Sequence, residues 1–162
     1  MPQRLIRPLD PATDRAAVAS LLLEAQDYYH LWLGHAPGAE QVEEVFTSGP
    51  PGCDPAKSHR LGLCLDGTLS GVAELSFGFP LPEDAYLGLM ILAPRARGQN
   101  HGTALTAHIE TLARPAPRLY LAVLDANPKG RAFWERQGFT PTGVSRHDPE
   151  SGHTIHRLVK PL

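Results

Sequence analysis

Leu92-Ala93-Pro94-Arg95-Ala96-Arg97-Gly98-Gln99-Asn100-His101-Gly102-Thr103-Ala104-Leu105 decides how this chain folds. Before it, the run from Ala85 to Leu92 is almost continuously apolar, the pattern of a central strand. Pro94 ends that strand because it donates no ladder N–H. Beyond the stretch, Leu105, Ile109 and Leu112 recur at helical spacing. A polar turn bearing Gly98 and Gly102 therefore links a strand to a helix. A helix N-terminus leaves backbone N–H groups unpaired and carries partial positive charge. Glycines there let an anion approach the backbone. Arg95, Arg97 and His101 add cationic character, so the ligand inferred is a phosphate or pyrophosphate. No Gly-Lys-Ser/Thr follows, which excludes a Walker loop, and the three-glycine dinucleotide spacing is missing.

Working outward, Leu119 to Leu124 reads as a further strand, so the unit is strand–loop–helix–strand with parallel neighbours. Asn127-Pro128 opens a helix and Gly138 closes it. Two last strands are expected near Phe139 to Arg146 and Thr154 to Lys160. Upstream, Leu61, Leu63 and Leu65 alternate, Asp66-Gly67 signals a hairpin turn, and Leu69 to Phe77 alternates again. Near the N-terminus, Arg4 to Leu9 reads as a strand. A helix starts between Asp10 and Asp14, with Asp10 before Pro11 as a candidate cap, and runs or restarts through Tyr28 to Trp32. Ala39 to Phe46 is a shorter helix, and the proline-rich stretch from Ser48 to Pro55 is a loop.

With 162 residues, one domain is expected. A chain of this size buries about 70% of its unfolded surface and needs no disulfide or metal staple. Cys53 and Cys64 form neither a disulfide framework nor a zinc spacing, and the eight histidines have no convincing ligand partners, so no metal is expected. A net charge of −2 argues against a nucleic-acid-binding protein. No apolar run is long enough for a bilayer and Met1 to Asp14 is too polar for a signal peptide, so a soluble cytoplasmic protein is expected. Residues 1–90 carry −7 and residues 91–162 carry +5. Such a split suits a protein joining an anionic ligand to a cationic one, though solvated faces produce it too.

The stretch from Leu92 to Leu105 resembles the acetyl-CoA motif of the GCN5-related N-acetyltransferase superfamily, Gln/Arg-x-x-Gly-x-Gly/Ala after an apolar-x-Pro strand end, here starting at Arg97. Asn127 to Phe139 is similar to the family's Asn…Tyr-x-x-x-Gly-Phe segment, and the element order matches over nearly the whole chain. The resemblance implies an α/β (α+β) fold: a mixed, mostly antiparallel sheet with a splayed parallel strand pair and about four helices. It implies acetyl-CoA as cosubstrate and an amine as acceptor. Backbone groups of Met90, Ile91 and Leu92 would pair with the pantetheine arm, and the Leu92 N–H would polarise the thioester. Amides of Gly98, Gln99, Asn100, His101, Gly102 and Thr103 would hold the pyrophosphate, with Arg97 in the same cofactor site. Asn127 would bond the pantetheine, while Lys129 and Arg131 would reach the nucleotide phosphate or stay in solvent.

Four positions depart from the pattern. Asn100 replaces the first motif glycine, and asparagine tolerates positive φ, so the loop keeps its shape. Trp134 aligns where the family often has an acidic tyrosine, and an indole supplies no proton. Glutamates used as base in some members fall at Ala122 and near Tyr86. The first candidate base is therefore Glu74, on the hairpin strand, against the alternative of a surface carboxylate on a half-exposed strand. Tyr86 is the second, against a plain core tyrosine.

Tyr28, Tyr29, Trp32 and His35, with His30, fall where family members often form the acceptor pocket, and aromatics there could cage a cation. Their alternative is helix packing. The expected activity is acetyl transfer from acetyl-CoA to a primary amine of a small molecule. Protein N-termini or lysines, a catalytically silent CoA-binding protein and an unrelated phosphate-binding fold stay open. A homodimer is common in such enzymes, but no surface in the sequence argues for one.

Overall fold

A computed structural model describes residues 1–162. Its strands are β1 (Arg4–Pro8), β2 (His59–Leu65), β3 (Thr68–Phe77), β4 (Ala85–Leu92), β5 (Arg118–Leu124), β6 (Thr140–His147) and β7 (Thr154–Pro161). They form one sheet in the order β1-β2-β3-β4-β5-β7-β6. Only β4 and β5 run parallel; the other pairs are antiparallel. The fold is the mixed α/β architecture expected.

Helices cover both faces. On one side lie α1 (Arg15–Glu24), α2 (Gln26–Leu33) and α3 (Ala39–Thr47). Val18, Leu21, Leu22, Tyr29, Val45 and Phe46 pack there against Val72, Ile91 and Ala93 of the sheet. On the other side lies α4 (His101–Ala113), whose Leu105, Ile109 and Ala113 meet Leu63, Leu75, Leu87 and Leu119. The last helix, α5 (Pro128–Arg136), adds Trp134 to the rim of that core. Between the two layers β3 is buried from Leu69 to Ser76. Its alternation of residue types therefore does not mark a wet face.

There are five α-helices rather than four. The first expected helix is split at Ala25, which sits at φ −93° and ψ 23°. No glycine or proline marks this break, so the sequence is silent about it. Acids flank it, and Arg95 and Arg97 from the far end of β4 hold them: Arg95 pairs with Glu24 at 2.8 Å and Arg97 with Asp27 at 2.6 Å. The start of α1 also differs from expectation. The Asp10 carboxylate caps only a local turn, accepting from the Ala12 N–H, and the helix begins at Arg15. Asp14 stands at the cap position, but Arg7 grips its carboxylate at 2.8 and 2.9 Å, so it makes no side-chain cap.

Two features of the sheet position the site. Asp66 and Gly67 take φ 49° and 81°, the left-handed pair that a two-residue hairpin needs. That turn sets β2 against β3 and brings Arg60 opposite Glu74. The second feature is the parting of β4 and β5. They pair only at Ala85–Leu119, Tyr86–Tyr120 and Leu87–Leu121, then diverge. Just there β4 carries an extra residue, Gly88, because Leu87 opposes Leu75 while Leu89 opposes Glu74. A bulge bends a strand and re-aims its side chains. A Cβ on residue 88 would meet Glu74 Oε2, so a larger residue there would have to displace that carboxylate.

Candidate active site

The turn between β4 and α4 takes the shape its composition predicts. Gly98 has φ 73° and Asn100 φ 64°, both left-handed. Asn100 is the residue before α4 and makes no side-chain cap. As a result, none of the N–H groups from Gly98 to Thr103 finds an acceptor within the protein. Six successive exposed or helix-opening amides of this kind make a cradle for an oxyanion. The expected departure at Asn100 thus leaves the backbone geometry intact. Gly102 faces Phe133 of α5: a Cβ there would stand 3.2 Å from the ring.

The side chains around this turn are more committed than the sequence suggests. Arg97 bonds Asp27 and the Leu92 carbonyl oxygen, the latter at 3.1 Å. Arg95 spans Glu24 and the Ser70 hydroxyl. Gln99 donates to the Arg95 carbonyl oxygen. The His101 side chain is a correction: it is wholly buried, with Nδ1 accepting from Arg4 Nε at 3.3 Å, and adds nothing to the surface of the turn. What the cradle offers is backbone. Asn127 caps α5, its Oδ1 accepting from the Gly130 N–H at 3.0 Å, so only its amide NH2 stays available. Trp134 stacks edge-on between Phe133 and Phe139, with centroids at 4.9 and 5.4 Å.

On the opposite sheet face opens a cleft of about 650 Å³. Its floor holds Glu74, Gly88 and Leu89; Tyr29, Trp32 and Glu44 come from the helices, and Tyr86, Arg146 and Arg157 from the sheet. Glu74 is only 3% exposed, so the reading of a half-wet surface carboxylate fails. The Ser76 hydroxyl donates to Glu74 Oε1, and Ser58 lies 3.2 Å from Ser76. Burial pushes the Glu74 carboxyl above the usual carboxylate range, opposed by the hydroxyls of Ser76 and Ser58, the charge of Arg60 and the backbone of Gly88. Arg60 itself donates to the Val45 carbonyl oxygen, and its second terminal nitrogen is buried without a partner.

Tyr86 faces the same cleft, its ring edge-on to Phe79 at 5.1 Å. Burial raises its phenol, against the nearby charges of Arg157 and Arg146. Of the four candidate acceptor residues, Tyr29 and Trp32 line the cleft. Tyr28 does not; it packs edge-on against Tyr29 at 5.4 Å, and burial pushes its phenol up to about 12. His35 is exposed past the end of α2, with its ring on the Ala36 carbonyl oxygen. No three His, Cys, Asp or Glu side chains converge on one point. No helix is long and apolar enough to cross a membrane.

Sequence reasoning passed over Glu44, Phe79, Arg146 and Arg157. The two arginines read as ordinary strand cations, and the basic balance of the second half of the chain was the one trace of them.

Residues 22–139 match the family model described as Acetyltransferase (GNAT) family, and the chain belongs to that family of acetyltransferases. No curated protein matches the sequence. Among solved structures, an acetyltransferase from Thermus thermophilus is 24% identical with a TM-score of 0.79, and each chain covers 100% of the other. The ribosomal-protein-S18-alanine N-acetyltransferase from Escherichia coli is 17% identical with a TM-score of 0.71, over 98% of this chain and 94% of that one. An acetyl transferase from Salmonella typhimurium that modifies the N-terminal serine of 50S ribosomal subunit protein L7/L12 is 17% identical with a TM-score of 0.75, over 99% and 95%. At these identities the likeness is one of fold.

Proposed function

We propose that residues 1–162 form one cytoplasmic catalytic domain that transfers an acetyl group from acetyl-CoA to the primary amine of a small molecule. The observation that carries this reading is Glu74: a buried carboxylate on the cleft floor, beside the point where β4 and β5 part. The cradle from Gly98 to Thr103 would take the pyrophosphate on backbone N–H groups. The pantetheine arm would run along Met90, Ile91 and Leu92 on the edge of β4 that β5 has left. Asn127 would reach it with its amide NH2, and Trp134 would pack nearby.

The acceptor amine has a pKa near ~10.4 and arrives as the ammonium. Glu74 takes one of its protons, directly or through water. The neutral amine attacks the thioester carbonyl carbon, and the C–N bond forms. The Leu92 N–H stabilises the oxyanion. The C–S bond then breaks, CoA leaves as a thiolate with a pKa near ~8.5, which needs no strong acid, and the surplus proton on the nitrogen passes to that thiolate or to water, giving the neutral amide. That chemistry tolerates Trp134 in place of a tyrosine. Tyr86, in the same cleft, is the second proton carrier. Tyr29 and Trp32 would bound the acceptor.

Protein N-terminal acetylation, named for two of the similar structures, is the second reading. The test is thiol release from acetyl-CoA across a panel of amines and peptides, with wild type and Glu74→Gln. Release with a small amine, lost in the variant, supports the proposal; release with peptides alone supports the second reading.

A further inference from the structure

The cleft that holds Glu74 also holds two guanidinium groups that the chemistry above does not use. Arg146 lies on β6 and Arg157 on β7. Register explains their meeting: Arg146 pairs with Ile155, and Ile155 is two residues from Arg157, so both arginines share one face. Arg157 pairs on its other side with Ala122 of β5, at the edge of the opening. Its guanidinium lies over the Phe79 ring, 5.1 Å from the centroid. An arginine held over an aromatic face can still offer its N–H edges to a ligand.

Neither guanidinium makes a direct ion pair with a protein carboxylate, although the charge of Arg146 is felt at Asp148. Arg7, Arg15, Arg95, Arg97, Arg118 and Arg131 each pair with a carboxylate, while Arg146 and Arg157, like Arg4, Arg60, Arg114 and Arg136, pair with none; of these six only Arg146 and Arg157 line the cleft. Both remain on the cleft wall facing Tyr86. The two carboxylates of the cleft, Glu44 and Glu74, come from α3 and β3 instead. The cleft therefore carries charges of both signs, cations from β6 and β7 and carboxylates from α3 and β3, among the aromatic rings of Tyr29, Trp32 and Phe79.

Resting on the acetyl-transfer reading, we propose that the acceptor is a small amine that also bears a carboxylate, an amino acid with an apolar body, and that Arg146 and Arg157 bind this carboxylate. A planar carboxylate takes two parallel N–H bonds from an arginine fork, which an amine of one charge cannot match. A carboxylate bound there keeps the amine in the cleft that Glu74 also lines, where Glu74 can accept its proton. A peptide N-terminus offers an amide at the equivalent position and leaves both guanidiniums without an anion.

The experiment compares each of the twenty standard amino acids with its amide and its decarboxylated amine, reading thiol release from acetyl-CoA. The expected result is a kcat/KM at least about tenfold higher for the carboxylate-bearing member of the preferred set, carried by KM. Arg157→Met and Arg146→Met should each collapse that ratio, and Arg157→Lys should restore part of it. Equal rates within every set, or a preference for amides or decarboxylated amines, would overturn the inference and leave acetyl transfer standing. A carboxylate preference that survives both methionine variants would equally overturn the assignment to these arginines. No thiol release from any acceptor would overturn the acetyl-transfer reading and this inference with it.

Discussion

The proposed anion cradle and the proposed acceptor cleft are built in opposite ways. The cradle is one continuous segment, Gly98 to Thr103, and what it offers is main chain. The cleft draws side chains from α2, α3, β3, β4, β6 and β7, spread from Tyr29 to Arg157. A local backbone site depends on a few conformations and survives replacement of most side chains. A dispersed side-chain site changes its preference with each substitution. In one fold, the first suits a cosubstrate common to a family and the second an acceptor that differs between members.

The largest expected effects separate the two regions. Gly102→Glu puts bulk against Phe133 and a negative charge at the cradle. Acetyl-CoA affinity by calorimetry should fall at least about 100-fold. Glu74→Gln should instead leave that affinity unaltered and lower kcat by about 10²–10⁴-fold. The same variant sharpens the pH dependence. Because burial raises the Glu74 carboxyl, the proposed base would be lost as pH falls through a folded-state value above the ordinary ~4.3. Wild-type kcat/KM should therefore show an acid limb centred above that value, and Glu74→Gln should lack the limb.

Smaller effects probe the backbone. Asn100→Gly should keep acetyl-CoA affinity, since glycine accepts φ 64°. Asn100→Val should cost about 1–2 kcal/mol in stability and weaken binding, because a β-branched residue is strained there. Equal stability for the two variants would mean that the left-handed residue is not what shapes the cradle. The smallest effect is expected at Trp134. Its ring packs between Phe133 and Phe139, so Trp134→Tyr should change kcat by less than about threefold. A gain of tenfold or more would show that departure of the thiolate does need an acid.

The same contrast explains what was legible in the sequence. Asp66-Gly67, the apolar run of β4, Pro94 and the Asn127-Pro128 cap are local signals, and each element stands where its residues imply. The left-handed Asn100 was legible for the same reason. The break at Ala25 was not, because no breaker marks it and the partners of Glu24 and Asp27 lie about seventy residues away. Glu74 was found by its position in an apolar strand, but its burial was not, because it depends on helices covering both faces of β3. His101 read as a surface cation because its neighbours are polar, while the helix turns its ring toward Arg4. Arg146 and Arg157 become neighbours only through the pairing of β6 with β7, and Tyr28 and His35 were separated from the cleft by the turn of α2.

The central claim joins the two regions: a cosubstrate held by the cradle meets an amine held over Glu74. It is tested most directly by titrating acetyl-CoA into the protein and then adding amines to the same solution while thiol is monitored. The account predicts saturable binding of one acetyl-CoA per chain, no thiol release until an amine is added, and release that rises with pH through the Glu74 limb. Absence of binding, or binding with no release from any amine, would contradict it.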